Sequence, residues 1–235
     1  LYANVENLHD FTKNCAKFLK IDGYLVIESS YLFSMLNKNI FDFVYHEHLS
    51  YLSVTPLKKF MKSYGLQLIK TYKNESKGGS LRYVFKKTRV SIKNYNIRKI
   101  VDDEKKLYKN FKYIIFKYEQ NIINLRNNFK KFLSKYNYKT IAAFGASATS
   151  TTFLSEIKIG KKINLFIDEN PAKIKTYSPG YGIKVISLDD IENYNVDIII
   201  ILAWRFRSQI IKKIKKLKID YLVPLPNFKI YKYKN

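Results

Sequence analysis

Residues 140–152, TIAAFGASATSTT, place a short apolar run directly before a loop of small and hydroxylated residues. We interpret residues 140–144 as a strand and residues 145–152 as a loop that enters a helix. The N-terminus of such a helix offers unpaired N–H groups and a positive dipole end to a phosphate. A single glycine does not make the G-x-G-x-x-G fingerprint of dinucleotide binding. The stretch therefore predicts an α/β unit with a phosphate or nucleotide site, and Gly145, Ser147 and Thr149 are its candidate residues.

Further short apolar runs follow this stretch and predict the other strands of the same sheet. They are residues 163–167, which end at Asp168, residues 196–202, which lead into Ala203 and Trp204, and residues 219–223 as a last strand. Ligands of open α/β sheets bind beyond the carboxyl ends of the strands, so Asp168 and Trp204 are added to the candidate ligand residues. Asp168 could bond a ribose or cap the turn formed by residues 168–171, and the sequence leaves both readings open.

The first part of the chain also alternates between helical and strand patterns. An amphipathic pattern predicts a helix over residues 8–20, and YLVIE (24–28) reads as a strand buried in a parallel sheet. Residues 29–44 read as a loop with a short apolar stretch, and Ser53 or Thr55 can cap a helix that ends at Gly65. Strands are predicted over residues 66–72 and 81–87. This order resembles the second half of a Rossmann-like sheet that finishes in an antiparallel pair.

Residues 98–135 carry a lysine-rich helical pattern without Gly or Pro and predict one long connecting helix. The predicted fold class is therefore α/β with two parts joined by that helix. A partial Rossmann-like sheet occupies residues 1–97, the connecting helix residues 98–138, and a second Rossmann-like domain residues 139–235.

Composition restricts the partners and the compartment. The formal net charge of +24 favours acidic partners, but the lysines are spread over nearly every segment. Neither an arginine-rich arm nor zinc-finger spacing is present, so nucleic acid is not an expected partner. The single cysteine, Cys15, rules out an internal disulfide and fits a reducing compartment. No apolar run approaches the roughly 20 residues of a membrane span, and no signal peptide is visible, so the predicted location is cytoplasmic and no membrane is involved.

The richest chemistry of the chain lies in residues 41–53, FDFVYHEHLSYLS, which contain Tyr45, His46, Glu47 and His48. A histidine oriented by a carboxylate, with a phenol nearby for a developing oxyanion, suits removal of a proton next to a carbonyl. A packing patch at a domain edge is the alternative interpretation. The two histidines would share a face only in an extended strand, and H-E-x-x-H spacing is missing, so no metal site is predicted.

Five stretches in order resemble the nucleotide-sugar C-methyltransferases, which add a branch methyl group to deoxysugars. They are FDFVYHEHLSYLS (41–53), GGSLR (78–82), GASATSTTFL (145–154), FIDENPAKIKTYSPG (166–180) and ILAWRF (201–206). The resemblance implies a zinc-bearing N-terminal segment, a central S-adenosylmethionine-binding domain and a C-terminal Rossmann-like domain. It also implies a dTDP-linked 4-keto sugar as substrate, whose enolate takes the methyl group.

Carried onto this chain, the resemblance makes His48 the general base and Tyr45 and Glu47 its partners. It places the loop 145–152 near the nucleotide-sugar. Asn4 stands where the family usually has a histidine, and it joins Gly79 and Ser80 as a substrate-binding candidate. Lys77 replaces a second histidine before the paired glycines.

Two parts of the family pattern are not found in these residues: the cysteine-rich zinc segment and the first strands of the methyl-donor domain. The resemblance therefore implies that residues 1–97 are the C-terminal half of a class I methyltransferase (Rossmann-like) domain that carries the base motif. We therefore expect this chain to lack methyl-donor binding and to be inactive alone, as a fragment, as one half of a split enzyme that needs an N-terminal half on another chain, or as a decayed relic. We also expect the strand at residues 24–28 to have an open edge that recruits other chains or aggregates. The alternatives are a non-catalytic module that binds a nucleotide-sugar or phosphate, and a basic nucleic-acid-binding protein.

Overall fold

The computed structural model describes residues 1–92, 97–135, 138 and 140–233. Within these ranges the chain is mixed α/β, as predicted, and it divides into two compact units. Unit 1 consists of Leu1–Lys38 and His46–Tyr118, and unit 2 consists of Asn39–Tyr45 and Glu119–Asn235. This division differs from the predicted boundaries, because a short upstream segment counts with unit 2 and the second boundary lies inside the predicted connecting helix.

Along the chain of unit 1, helices precede, separate and follow the strands of a small sheet. Its elements are α1 (Leu8–Phe18), β1 (Tyr24–Ser30), α2 (Leu32–Asn37), α3 (Val54–Lys62), β2 (Leu66–Asn74), β3 (Ser80–Lys87), α4 (Arg98–Lys109) and the first part of α5 (Phe111–Lys135). The predicted helix and strands of residues 8–28 and 66–87 are thereby confirmed, with shifts of a few residues at their ends.

The sheet of unit 1 has the order β1-β3-β2, and β3 runs antiparallel to both neighbours. The prediction that β1 is buried in a parallel sheet is wrong for the described residues. The strand pairs with antiparallel β3, and its side chains alternate between a buried face and an exposed one. Ile27 is 7% exposed whereas the neighbouring Val26 is 53% exposed. No second strand pairs with β1 within the described ranges.

The ends of α1 show how side chains complete the local structure. Asn7 caps its N-terminus, because the Asn7 side-chain oxygen accepts the N–H of Asp10 at 3.1 Å. At the other end, the Lys87 ammonium donates to the carbonyls of Ala16 and Leu19 at 2.7 and 2.8 Å. Because the last carbonyls of a helix have no partner within it, this lysine on β3 ties the helix to the sheet.

Two predictions about helices need correction. The predicted loop over residues 29–44 contains α2, whose Phe33 and Met35 are buried. The predicted single helix over residues 98–135 is two helices, because the chain leaves helical geometry at Asn110. There φ is −106° and ψ is 18°, and the Asn110 side-chain nitrogen donates to the Lys106 carbonyl. Asparagine competes for backbone hydrogen bonds in this way, which the absence of Gly and Pro does not reveal.

Unit 2 carries the second sheet. After the rest of α5, its elements are β4 (Ile141–Phe144), α6 (Ala148–Ile157), β5 (Leu165–Ile167), β6 (Lys184–Ile186), β7 (Ile198–Ile201), α7 (Arg207–Ile214), β8 (Asp220–Val223) and β9 (Lys229–Tyr231). The three strands predicted after the loop are confirmed as β5, β7 and β8. The prediction missed β6 and β9, and β8 is not the last strand, because three-residue strands leave too little periodicity to read.

The strand order of unit 2 is β6-β5-β4-β7-β8-β9, and its neighbours are parallel except for the antiparallel pair β8 and β9. All residues of β4 and β7 are buried, which explains why both strands are continuous apolar runs. From β4 the chain proceeds to β5 and β6 on one side, and from β7 to β8 on the other. The carboxyl ends of β4 and β7 therefore form the point at which the strand order reverses.

Of the helices within the described ranges, none is both long enough and apolar enough to cross a membrane.

Candidate functional site

The loop after β4 packs closely against the loop after β7. Gly145 has a φ of +105°, and a Cβ atom at this position would lie 2.7 Å from the Cβ of Ala203. The Gly145 N–H donates to the Ile167 carbonyl at 2.7 Å, and the Ala203 N–H donates to the Phe144 carbonyl at 2.9 Å. Glycine is therefore required by both the backbone conformation and the close approach, so the structure gives Gly145 a role in shaping the loop.

The hydroxyl groups of this loop organise the start of α6. Ser147 is the N-cap residue, and its Oγ accepts the N–H of Ser150 at 3.3 Å. The same hydroxyl lies 2.9 Å from Oγ1 of Thr149. Ser150 donates its own hydroxyl to the Gly145 carbonyl at 2.5 Å. The small hydroxylated residues of the loop thus fix the helix N-terminus, which is the group predicted to face a phosphate.

A cavity of about 350 Å³ opens beside this helix N-terminus. Its walls come from the loop after β4, from strands β5 and β6, and from the segment between them, and are formed by Ala146, Ser147, Ala148, Thr151, Phe166, Lys173, Thr176, Tyr177, Ser178, Pro179 and Val185. Tyr177 is 66% exposed, so its ring is accessible at the wall. The cavity combines an aromatic ring, an ammonium group and a helix N-terminus, which suits a ligand with a flat ring and an anionic group.

Asp168 follows β5 and binds three donors. Its Oδ2 accepts the Ala146 N–H at 2.8 Å and the Lys173 ammonium at 3.2 Å, and its Oδ1 accepts the Asn170 N–H at 2.9 Å. Of the two alternatives that the sequence left open, this geometry favours the turn cap. Asp168 also ties the loop after β5 to the loop after β4, and its contact with a ribose stays a prediction.

An ion pair of Asp42 and Arg205 lies against the loops after β4 and β7. The Asp42 Oδ2 accepts the Trp204 indole N–H at 2.9 Å and the Arg205 Nη1 at 3.1 Å. Arg205 also donates from Nη2 to Thr149 Oγ1 at 3.3 Å and stacks over the Phe43 ring at 4.1 Å. Asp42 is 1% exposed and Trp204 is 4% exposed. The structure therefore brings Thr149 and Trp204 together through two charged residues.

Burial acts against the charge of both members of this pair. It raises the pKa of the Asp42 carboxyl, although the Arg205 charge and the Trp204 hydrogen bond oppose the rise. It lowers the pKa of the Arg205 guanidinium, although Asp42 and the nearby Tyr45 phenol oppose the fall. The removal of two charges from water is costly unless the pair is well formed, so this arrangement depends on its geometry.

Sequence reasoning missed Asp42 and Arg205, although both lie inside motifs that carry the resemblance. A usable signal existed: Asp42 stands between two phenylalanines, and a carboxylate placed among buried aromatic residues needs a cationic or N–H partner. Tyr45, a predicted catalytic residue, lies three residues after Asp42 and belongs to the same unit as the ion pair.

The remaining part of the predicted catalytic motif belongs to unit 1. His48 is half-buried, His46 and Glu47 are exposed, and residues 45–47 form a bend and turn rather than an extended strand. The N–H groups of Leu49 and Ser50 both donate to the Ala3 carbonyl, at 2.9 and 3.1 Å. This backbone contact brings the chain next to Asn4 close to the chain next to His48, as the shared site assignment requires.

Gly79 and Ser80 lie at the carboxyl end of β1. The Gly79 carbonyl accepts the Tyr31 N–H at 3.2 Å, and a Cβ at Gly79 would lie 2.9 Å from the Cβ of Ser34. Ser80 is 3% exposed and donates its hydroxyl to the Ser76 carbonyl at 3.0 Å. These contacts are structural, and substrate binding by the two residues stays a prediction.

The predicted site residues therefore fall into two groups, one in each unit. Asn4, Glu47, His48, Gly79 and Ser80 belong to unit 1, whereas Tyr45, Gly145, Ser147, Thr149, Asp168 and Trp204 belong to unit 2. Across the described ranges, no three His, Cys, Asp or Glu side chains are grouped closely enough to hold a metal ion.

Comparison with known proteins identifies the family. The family described as C-methyltransferase C-terminal domain matches residues 75–226, which is more than half of the chain. The chain belongs to this C-methyltransferase family. C-methyltransferase NovU of Streptomyces niveus is 24% identical to it over 240 residues, which cover 96% of this chain and 55% of NovU. The chain thus spans about half the length of the curated relative that it matches.

The resemblance read from the five motifs is confirmed by these two comparisons as a similarity to the C-terminal portion of C-methyltransferases. The family match begins at residue 75, yet unit 2 also includes Asn39–Tyr45. The C-terminal unit of this chain therefore incorporates a segment that lies upstream of the family match.

Proposed function

We propose that this chain is the C-terminal part of an S-adenosylmethionine-dependent C-methyltransferase that acts on a nucleotide-linked keto-deoxysugar, such as a dTDP-linked sugar. Unit 2 would be a Rossmann-like domain that holds the nucleotide. Its strand order, parallel except for β9, supports this fold. In unit 1, β1 and β2 flank an antiparallel β3, an arrangement consistent with the end of a methyltransferase sheet.

The observation that carries the proposal is the cavity beside the N-terminus of α6. Tyr177 would stack on the base, while the Lys173 ammonium and the first N–H groups of α6 would face the diphosphate. A cavity of about 350 Å³ at the lower end of the range for ligand sites fits part of a nucleotide-sugar and leaves the sugar to extend outward.

The reaction would begin with removal of the proton next to the sugar ketone. His48 would take this proton, and Tyr45 and Glu47 would orient the histidine and the developing enolate oxygen. The bound sulfonium donor would supply the methyl group: the enolate carbon would form the new carbon–carbon bond while the sulfur–methyl bond breaks, which leaves a neutral thioether. Asn4 would donate a hydrogen bond from its side-chain amide to the substrate.

No described residue of this chain is assigned to the methyl donor. The Glu28 carboxylate, in the second half of β1, accepts hydrogen bonds from Arg82 at 3.0 and 2.8 Å and from Ser76 at 3.1 Å. Because these partners already bind it, Glu28 is not assigned to the methyl donor either. We therefore place the donor site, and the zinc segment that the resemblance implies, on the part of the relatives that has no counterpart in these residues. An N-terminal half on another chain could supply them.

The nucleotide site is tested by calorimetric titration of the chain with dTDP, with Tyr177→Ala as the variant. Loss of a stacked aromatic ring costs about 1–3 kcal/mol. We therefore expect dTDP to bind about 5- to 150-fold more weakly to Tyr177→Ala than to the unchanged chain.

The matched control is Tyr233→Ala, because Tyr233 is 42% exposed and does not line the cavity. Equal weakening by both variants would argue against stacking at Tyr177, and an unchanged chain that does not bind dTDP would overturn the nucleotide site itself. Titration with S-adenosylmethionine should give no binding, and stoichiometric binding would contradict the assignment of the donor site.

A further inference from the structure

The segment Phe41–Tyr45 is held by unit 2 although the residues on both sides of Asn39–Tyr45 belong to unit 1. Phe41, Asp42 and Phe43 are 3%, 1% and 6% exposed. Phe41 stacks on Phe153 of α6 with ring centroids 5.4 Å apart. This short segment buries two aromatic rings and a carboxylate in unit 2, so it is a packed part of that unit and does not merely connect two elements.

The contacts of this segment meet at the point where the strand order of unit 2 reverses. Trp204 and Arg205 follow β7, Thr149 follows β4, and Arg205 contacts both Asp42 and Thr149. Open α/β sheets bind their ligands in this crevice. Here the carboxylate of Asp42 occupies the position of an anion between the Arg205 guanidinium and the Trp204 indole N–H.

Arg205 is itself held in one orientation. Its guanidinium lies 4.1 Å from the Phe43 ring centre and 5.0 Å from the Trp204 ring centre, and its side chain is 16% exposed. A planar guanidinium stacked on rings and fixed by two hydrogen bonds loses little further freedom when it binds a partner. Tyr45 follows Asp42 by three residues and belongs to the same segment of unit 2.

We propose that Asp42 and Arg205 are positioning residues that clamp the segment Phe41–Tyr45 into the crevice at the carboxyl ends of β4 and β7 and thereby fix the backbone that carries Tyr45. The segment fills this crevice, and the nucleotide site of the proposed function is the separate cavity beside Ala146–Ala148. The part that Tyr45 takes in the chemistry rests on the proposed function. The clamp does not, because it follows from contacts inside unit 2.

The clamp is tested by hydrogen–deuterium exchange of the whole chain without any ligand. Arg205→Met keeps an apolar stem on the rings but removes the charge, and Arg205→Lys keeps the charge. We expect amide exchange in residues 41–45 to rise about tenfold or more in Arg205→Met, as for the loss of a hydrogen bond between charged groups. We expect Arg205→Lys to restore part of the protection, which a packing role alone would not require.

Two further variants separate the pair from its surroundings. Arg207→Met is the matched control, because Arg207 is exposed and bonds the Trp204 carbonyl rather than Asp42. Amide exchange in residues 41–45 should be no faster in the double variant Asp42→Asn, Arg205→Met than in Arg205→Met alone, because each residue of the pair acts through the other. Trp204 is the single tryptophan of the chain, so a red shift of its emission in Asp42→Ala reports loss of the indole contact directly.

Exchange in residues 41–45 that does not change in Arg205→Met, or that changes equally in Arg207→Met, would overturn the clamp. If Arg205→Met unfolds unit 2, exchange will also rise in the buried strands β4 and β7, and Arg205→Lys then decides: protection equal to that of Arg205→Met overturns the clamp. Titration with dTDP gives the separate outcome for the proposed function. A chain that shows the clamp but does not bind dTDP refutes the nucleotide site and leaves the clamp intact, whereas Arg205→Met that binds dTDP normally supports separate sites.

Discussion

At the scale of single residues, a buried carboxylate caps a helix for which the sequence predicted a cap from a neighbouring hydroxyl group. Glu104 is fully buried and accepts the N–H groups of Val54 and Thr55 at 2.6 and 2.7 Å and the Tyr31 hydroxyl at 3.0 Å. It therefore caps α3 from a distant part of the chain. Of the two predicted caps, Ser53 makes no side-chain capping bond and Thr55 lies inside the helix.

The cap at α3 predicts a large and specific loss of stability. Glu104→Ala leaves two N–H groups and a hydroxyl without their acceptor, and hydrogen bonds to a charged group contribute about 1.5–3 kcal/mol each. We expect the free energy of unfolding, measured by urea denaturation, to fall by about 3 kcal/mol or more. The neighbouring Asp103 is exposed, so Asp103→Ala should change it by less than about 0.5 kcal/mol. Similar losses in the two variants would refute the cap.

At the scale of elements, β1 is an edge strand of its sheet within the described residues. Its exposed face carries Tyr24 and Val26, and of the described strands it pairs with β3 alone. Apolar side chains on such a strand, next to unpaired backbone groups, favour association with other chains, which proteins commonly prevent with lysine. The expectation that this edge recruits other chains stays a prediction and leads to a direct measurement.

We expect Val26→Lys to reduce aggregation of the chain, followed by light scattering at a fixed concentration, and to change the free energy of unfolding by less than about 0.5 kcal/mol, since Val26 points away from the core. Tyr113→Lys is the control, because it adds the same charge at an aromatic residue that is 65% exposed on helix α5. If Tyr113→Lys suppressed scattering equally, net charge rather than the strand edge would be responsible.

At the scale of the whole molecule, the proposed base and the proposed nucleotide cavity belong to different units. His48, the proposed base, is in unit 1, and the cavity beside Ala146–Ala148 is in unit 2. Binding and proton removal should therefore respond to different substitutions. This separation also distinguishes the enzyme from the alternative of a module that only binds a nucleotide-sugar.

We expect His48→Asn to reduce the rate of methyl transfer strongly in an assay that supplies the N-terminal portion of a relative, with dTDP affinity changed less than about twofold. General base catalysis typically contributes about 10²–10⁴-fold, and the loss should be of this size. His9→Asn is the control, since His9 bonds Tyr64 at 2.6 Å outside the site. Methyl transfer that persists in His48→Asn would show that another residue is the base. A module that only binds a nucleotide-sugar would show no methyl transfer in the unchanged chain or in His48→Asn.

The sequence by itself determined the α/β class, the buried strands β4 and β7 and the family, because continuous apolar runs and ordered motifs are local signals. It also drew attention to the stretch that contains Tyr45 and His48. Only the tertiary structure decided that β1 is antiparallel to β3, that Glu104 caps α3, and that Asp42 meets Arg205. These features join residues far apart in the chain, and no local pattern specifies which distant group satisfies a buried charge or an unpaired strand.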